Sequence, residues 1–522
     1  MLLSNHYGKA LLTTCSTESF LYRYSWDLED LRSYPWARHY VQGPEVLAYL
    51  NHVVKRHKLR PHFQFNTEMI GSTWNAAENR WTVETDQGFT FKPRYLITAL
   101  GLLSKQNFPD IKGLKTFEGE LHHTARWPES LDLTGKRVGV IGNGSTGVQV
   151  ITAVAPIAKE LLCFQRNPQF SVPSGNKEVA PEYRQEINER YDKIWAEAKN
   201  SMFAFGFEES NRPTFSVAPE EREKIYEEAW QLGGGFRFMF WTFNDLSTNE
   251  DANHTAADFI RRKIRETIND PEKARKLSPT QLYARRPLCD AGYYQQFNRK
   301  SVDIIDINAT PITEITPKGI MTSDGKVHEL DVIVFATGFD AVDGNYTRVV
   351  IKGRSNQNLQ DHWVETGPSS YLGISVPDFP NLFMVLGPNS PFTNLPPTIE
   401  TQVEFIANAI KFAGKAKPLT NGGSVGTNDT TNGHIETGKA AGSVIEATSF
   451  AEEDWGKLCD ELSSGSLFRK TDSWIFGANV EGKRKSVLFY FGGLKNYINV
   501  LKDVVDNNYK GYKPFVVSEA KL

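Results

Sequence analysis

Apolar residues in this chain fall into two alternating patterns, short runs and stripes that recur every three or four positions. The stretches at 138–141, 161–164 and 332–340, the last ending at a small-residue turn, read as buried strands, because a strand covered on both faces needs no polar alternation, and 302–305 has strand composition. Residues from Val148 onward suit a helix. Val46, Leu47, Leu50, Val53 and Val54 form a helical stripe ending in the basic turn Lys55-Arg56-His57-Lys58, which suits the negative end of a helix dipole. Three further stripes predict helices: Tyr183, Ile187, Tyr191 and Ile194; Ile225, Ala229 and Trp230; and Phe259, Ile260, Ile264 and Ile268. Segments 62–72, 80–85 and 89–91 have strand composition around turns at 75–79 and 86–88, predicting a β-meander. Buried strands are also expected at 95–101 and 381–388. The class is α/β.

The run at 138–141 leads into Gly142-Asn143-Gly144-Ser145-Thr146-Gly147 and then the helix. Strand, GxGxxG and helix together form a dinucleotide-binding turn. Gly142 permits the tight turn, Gly144 lets backbone approach a pyrophosphate, and Gly147 lets the helix pack on the strand with its N-terminus facing the phosphates. The second strand ends in Gln165-Arg166, about where the ribose-reading residue belongs. An acid there would favour NAD. Arg166 offers a permanent planar cation to a 2′-phosphate, so NADP(H) is expected.

Ahead of this turn stand Phe117, Gly119, His123, Trp127 and Pro128 in the phrase FEGELHHTARWP. Phe-x-Gly-x-x-x-His-x-x-x-Trp-Pro before an NADP-type turn resembles the fingerprint of the Baeyer–Villiger monooxygenases. Trp127 distinguishes it from the sister S- and N-oxygenating flavin monooxygenases, which usually have Phe or Tyr there. The resemblance implies a hinge and packing role for His123.

The family resemblance implies two Rossmann-like domains of the flavin monooxygenase type, binding FAD and NADP(H). Residues 1–122 would be a partial FAD domain and 123–340 the NADP domain, with a helical insertion at about 180–275. Residues 341–522 would return to the FAD domain, with a disordered surface insertion at about 415–448. Tyr283-Ala284-Arg285-Arg286-Pro287 resembles the family's Lys-Arg-Pro phrase, which makes Arg286 the catalytic cation and Arg285 an NADP contact. A cation that cannot lose its proton suits a C4a-peroxyflavin anion and the oxyanion adduct it forms with a ketone. Gly101 resembles the end of an Ala-Thr-Gly strand beside FAD. Thr337 and Gly338 close the NADP domain next to a cofactor, with Asp340 in support. Thr393, Asn394 and Leu395 are candidates for the flavin and ketone pocket, and Trp474 for the cover of a mobile loop over NADP. Gly233-Gly234-Gly235 reads as a flexible break.

At 522 residues the chain exceeds one core, and a net charge of −3 gives no reason to invoke nucleic acid. Cys15, Cys163, Cys289 and Cys459 have neither disulfide-framework nor metal-ligand spacing, so no metal is expected. No apolar run is long enough to span a membrane, and the N-terminus lacks a signal-peptide h-region, so a cytoplasmic protein without membrane partners is expected.

Residues 1–14 resemble no element, whereas the text from Glu18 reads as an FAD domain already under way. The family's first GxGxxG unit is not found, and Ser16 stands where an aspartate near the flavin is expected. An incomplete gene model is the preferred reading, since a lost domain half would expose a parallel-sheet edge; such a chain would hold FAD poorly. The function expected is NADPH- and O2-dependent insertion of oxygen beside a ketone carbonyl, giving an ester or lactone. The resemblance suggests a bulky natural-product ketone. The alternatives are an S- or N-oxygenating flavin monooxygenase and an inactive NADP-binding remnant.

Overall fold

The computed structural model describes residues 17–415 and 444–515, apart from Glu129 and Glu481. Ser16, Cys15 and residues 416–443 of the expected insertion lie outside the described residues.

The glycine turn belongs to a five-stranded parallel sheet. Its order across the sheet is Val302–Asp306, Glu160–Gln165, Arg137–Ile141, Val332–Phe335 and Glu120–His123. The strands form because their residues are buried on both faces: Val138, Val140, Leu161, Cys163, Val332 and Val334 on one, and Ile141, Leu162, Phe164, Ile333 and Phe335 on the other. Each such aliphatic side chain contributes about 1.5–3 kcal/mol of burial. Helix Ser145–Val154 covers one face with Val148, Val150, Ile151 and Val154. The opposite face packs on Ile315, Ile320 and Leu330, from and beside a small antiparallel sheet. Chain order reverses between Arg137–Ile141 and Val332–Phe335, so the loops after these two strands flank the switch point where ligands of such sheets bind.

The other half of the molecule is built on Leu96–Thr98, parallel to Leu382–Met384, and on the antiparallel strands Met69–Asn75, Arg80–Thr85 and Thr90–Phe91. Val350–Lys352 joins that meander in parallel. Helices Leu395–Lys415 and Gly493–Asp506 share a core with Phe383 of strand Leu382–Met384. Helices Pro181–Lys199, Pro219–Leu232, Gly235–Phe240, Glu250–Thr267 and Pro271–Leu277 lie in the chain between strands Glu160–Gln165 and Val302–Asp306 of the parallel sheet. The fold is α/β, as the sequence pattern predicts.

Several boundaries differ from the sequence reading. The meander begins at Met69, because 62–68 carries its strand-like residues through a helical turn and an extended loop. The expected strands at 95–101 and 381–388 shorten to Leu96–Thr98 and Leu382–Met384, where backbone pairing stops. The 415–448 insertion expected to be disordered ends instead in a strand, Val444–Ala447, antiparallel to Tyr512–Phe515. Ile445 exchanges hydrogen bonds with Asn381, giving the strand a fixed place despite its weak sequence pattern.

Candidate active site

At the switch point the glycines have distinct reasons to be glycine. Gly142 sits at φ +99°, and a Cβ there would lie 2.6 Å from the Ala336 carbonyl oxygen. A Cβ on Gly147 would lie 2.2 Å from the Gly142 carbonyl oxygen. Both are demanded by packing within the protein. Gly144 meets nothing within 4 Å, so the protein leaves its space open toward the helix N-terminus. Ser145 and Thr146 open that helix with their backbone N–H groups in its first turn. Asn143 is buried and donates from Nδ2 to Gln165 Oε1 at 3.0 Å, while Gln165 donates from Nε2 to the Lys276 carbonyl at 2.7 Å. Gln165 therefore braces the turn from below.

Arg166 is exposed at the end of its strand. It lies near Arg285, whose pKa is lowered first by burial and then by the Arg166 charge. Arg285 Nε is buried and hydrogen-bonds to nothing in the protein. Two mutually repelling guanidinium groups, one with an orphaned donor, suit a dianionic phosphate. Asp472 stands near both, its carboxyl held below the usual range first by Lys485.

Arg286 Nη1 lies 3.5 Å from Ser145 Oγ, and its guanidinium carbon is 5.3 Å from the centroid of the Phe236 ring. The segment bearing these arginines is clamped at both ends. Asn253 Nδ2 donates to the Tyr283 carbonyl at 2.7 Å, and Asn253 Oδ1 accepts from the Tyr283 N–H at 2.8 Å. Leu288–Asp290 pairs in parallel with Ser171–Pro173. Buried Asp290 accepts from Ser171 Oγ at 2.5 Å and from the N–H groups of Gly292 and Tyr293, while burial raises its pKa.

The triple glycine is a correction. It is a close packing joint, not a flexible break. A Cβ on Gly233 would lie 2.5 Å from the Gly175 nitrogen, and one on Gly235 would lie 2.8 Å from the Leu288 carbonyl oxygen. The joint brings helix Gly235–Phe240 under Arg286. Its rings join a stack in which Phe205 and Phe236 are 4.0 Å apart and Phe203 and Phe240 are 3.9 Å apart.

Across the switch point, Thr337 Oγ1 donates to the Asn107 carbonyl at 2.5 Å, and the Gly338 carbonyl accepts from the Asn107 N–H at 3.0 Å. Buried His123 packs below this turn against Phe108 and Phe339, with ring centroids at 4.9 and 5.9 Å. Its Nδ1 accepts from the Ala125 N–H. Burial lowers its pKa to about 4, partly opposed by the Gly338 carbonyl, so it is neutral at pH 7. Phe117 packs against the outer face of the sheet. Gly119 is forced by the Asp331 carbonyl, whose oxygen would lie 2.4 Å from a Cβ at that position. Trp127, followed by half-buried Pro128, packs against the main core.

Trp474 opens a helical turn anchored by buried Ile475 and Phe476, and meets Phe489 edge-on at 5.7 Å. Sequence reasoning missed what holds the rest of this loop: Asn479 Nδ2 donates to the Phe339 carbonyl, and Lys483 bonds Asp340 and Asp343. Only contacts across more than a hundred residues show these partners.

On the other half, Gly101 turns at φ +79° after strand Leu96–Thr98, and its carbonyl accepts from Asn345 Nδ2 at 2.5 Å, leaving Asn345 Oδ1 buried and unpaired. Asn394 is buried, with Nδ2 donating to the Ala204 carbonyl and its N–H to the Phe203 carbonyl. It positions the aromatic stack instead of presenting a donor to a cavity. Leu395 packs half-buried against the main core. Among the described residues no helix is long and apolar enough to cross a membrane.

Residues 26–229 match the family model described as pyridine nucleotide-disulphide oxidoreductase. A Baeyer–Villiger monooxygenase of Pseudooceanicola batsensis is 48% identical, over 97% of this chain and 88% of that protein. A phenazine N-monooxygenase of Lysobacter antibioticus is 46% identical, over 95% of this chain and 87% of that protein. The crystal structure of cyclohexanone monooxygenase from Rhodococcus sp. Phi1 bound to NADP+ superimposes with a TM-score of 0.90 at 52% identity, covering 97% of this chain and 90% of that one. Identity of this order over nearly the whole chain, on the same fold and with the fingerprint at residues 117–128, makes this protein a member of the Baeyer–Villiger monooxygenase family.

Proposed function

We propose that the site between the Gly142 turn and the Phe203–Phe240 stack oxygenates a cyclic ketone at the expense of NADPH and O2, releasing a lactone and water. One observation carries the reading: Arg286 stands between the helix N-terminus at Ser145 and the aromatic ring of Phe236. A cation there faces a nucleotide site on one side and an apolar wall on the other. On this reading Gly142, Gly144, Gly147, Ser145 and Thr146 bind the NADP(H) pyrophosphate, with Asn143 and Gln165 holding the turn. Arg166 and Arg285 take the 2′-phosphate. Thr337 and Gly338 shape the opposite wall, and Trp474 covers the nucleotide. The assignment of 1–122 and 341–522 to the FAD domain and 123–340 to the NADP domain is part of the same proposal.

The chain's fit to the two cofactors is uneven. The NADP(H) turn, its open Gly144 and the orphaned Arg285 Nε all suit the nucleotide. For FAD, the unpaired Asn345 Oδ1 beside Gly101 suits the ring end, whereas Asn394 and Leu395 are committed to packing within the protein. Bound FAD would accept hydride from NADPH and activate O2. The protein's own part is to orient the ketone carbonyl toward Arg286, whose fixed charge stabilises developing oxyanion charge in a site screened from water. His123, neutral and packed, moves no proton. The cyclohexanone-oxidising relative and the tight aromatic stack favour a compact cyclic ketone.

The 46% identical phenazine N-monooxygenase supports a second reading, N-oxygenation of a flat heteroaromatic on the same stack. FAD-saturated protein supplied with NADPH, 18O2 and either cyclohexanone or phenazine separates them. Labelled lactone from the ketone is expected. Labelled N-oxide without lactone would favour the second reading, and NADPH consumption without labelled product from either would refute both.

A further inference from the structure

The loop that begins at Trp474 is anchored unequally. Its first turn is held by apolar burial, since Ile475 is inaccessible and Phe476 nearly so. Beyond Gly477, which turns at φ +72°, apolar anchoring stops: Gly482 meets nothing within 4 Å, and Asn479 Oδ1 and Ser486 Oγ are buried without partners. Few apolar contacts and unsatisfied polar atoms mark a segment of low local stability. What ties it down is charge. Lys483 Nζ lies 2.6 Å from Asp340 Oδ1 and 2.6 Å from Asp343 Oδ1, and its stem passes 3.4 Å from where a Gly477 side chain would begin. The three charged side chains are only 12–16% exposed, so the attraction is less screened than at an open surface.

The other end of this ion pair is the ligand-binding edge of the sheet. Asp340 follows Thr337 and Gly338 by two residues, in the short strand Phe339–Asp340 that pairs with Lys105–Gln106. Lys105 bonds the remaining Asp340 oxygen at 3.1 Å, so two ammonium groups and two carboxylates balance in one cluster. Asn107 joins the same junction, donating from Nδ2 to the Asn479 carbonyl while its own backbone bonds Thr337 and Gly338. The junction thus unites the Gly101 side, the Thr337–Gly338 turn and the Trp474 loop.

We propose that Lys483 and Asp343 are positioning residues that latch the loop bearing Trp474 onto the NADP(H) edge, so that the loop covers bound nucleotide. The inference rests on the assignment of that edge to NADP(H), but not on oxygenation. Closure of such a loop excludes water and retains the nucleotide.

Hydrogen exchange of the FAD-saturated full chain, with and without NADP+, tests it without turnover. In the wild type, NADP+ should slow exchange of the amides at 477–485. In Lys483→Met, the same amides should exchange roughly tenfold faster with NADP+ present, as loss of a charged hydrogen bond predicts. Lys483→Arg should keep the wild-type protection, and strand Arg137–Ile141 should be unaffected throughout. Wild-type protection in Lys483→Met, equal loosening in Lys483→Arg, or faster exchange spreading to Arg137–Ile141 would overturn the latch. A wild type that shows the latch but oxygenates nothing would refute the proposed function alone.

Discussion

Arg286 Nη1 and Ser145 Oγ lie 3.5 Å apart, although 141 residues separate them in the chain. The contact joins the first residue of the helix proposed to bind the nucleotide to the cation expected to act on the ketone. The geometry is produced by two backbone devices: the Gly142 turn at one end and the Gly233–Gly235 joint under Leu288 at the other.

The glycines of the turn should respond differently to the same substitution. Gly147→Ala places a methyl 2.2 Å from a backbone oxygen and should cost about 2–3 kcal/mol of stability as overpacking. Gly144→Ala meets open space and should leave the melting temperature unchanged while weakening NADP+ binding about tenfold, by intruding on the pyrophosphate. Thermal melts and NADP+ titrations of the two variants check the pair.

Arg166→Gln should lower the NADPH preference. Loss of a charge-assisted phosphate contact worth about 1.5–3 kcal/mol should raise the KM for NADPH by about tenfold or more and leave that for NADH nearly unchanged. Steady-state NADPH and NADH oxidation by wild type and variant measures it.

Gly235→Ala should act at a distance. Its methyl would press on the Leu288 carbonyl at 2.8 Å and displace the segment carrying Arg286. Turnover with the ketone should fall by about tenfold or more, since small misplacements of catalytic groups are costly, and NADP+ binding should weaken with it because Arg285 rides on the same segment; ketone turnover and NADP+ titrations of the variant measure both.

His123 sets a pH dependence. Its pKa is about 4 when folded, against about 6.5 unfolded, so the unfolded chain binds the extra proton between those values. The stability it contributes is therefore full above pH 6.5 and is lost as pH falls toward 4, by up to about 3 kcal/mol. His123→Gln should flatten the denaturant midpoint between pH 6.5 and 4 relative to wild type.

The parts of this site legible in the sequence are those with local causes. A buried run followed by glycines at fixed spacing specifies the Arg137–Ile141 strand and its turn, because burial and φ are properties of neighbouring residues. Three of the five helices between 181 and 277 follow equally from their stripes, whereas the short helices Gly235–Phe240 and Pro271–Leu277 do not. Two features escaped because their cause is a distant partner. Gly233–Gly235 reads as flexible until Gly175 and Leu288 are seen against it. Nothing near Lys483 in the chain points to Asp343, 140 residues away, which holds it. Val444–Ala447 is a strand because Tyr512–Phe515 and Asn381 pair with it, and its own composition carries little signal.

The most direct test of the account is product yield from Arg286→Ala, measured as lactone formed per NADPH consumed by the FAD-saturated chain with cyclohexanone. Loss of the cation should reduce lactone formation by about a hundredfold or more while NADPH oxidation continues and hydrogen peroxide accumulates. Lactone formation within a few-fold of wild type would contradict the placement of Arg286 at the centre of the reaction.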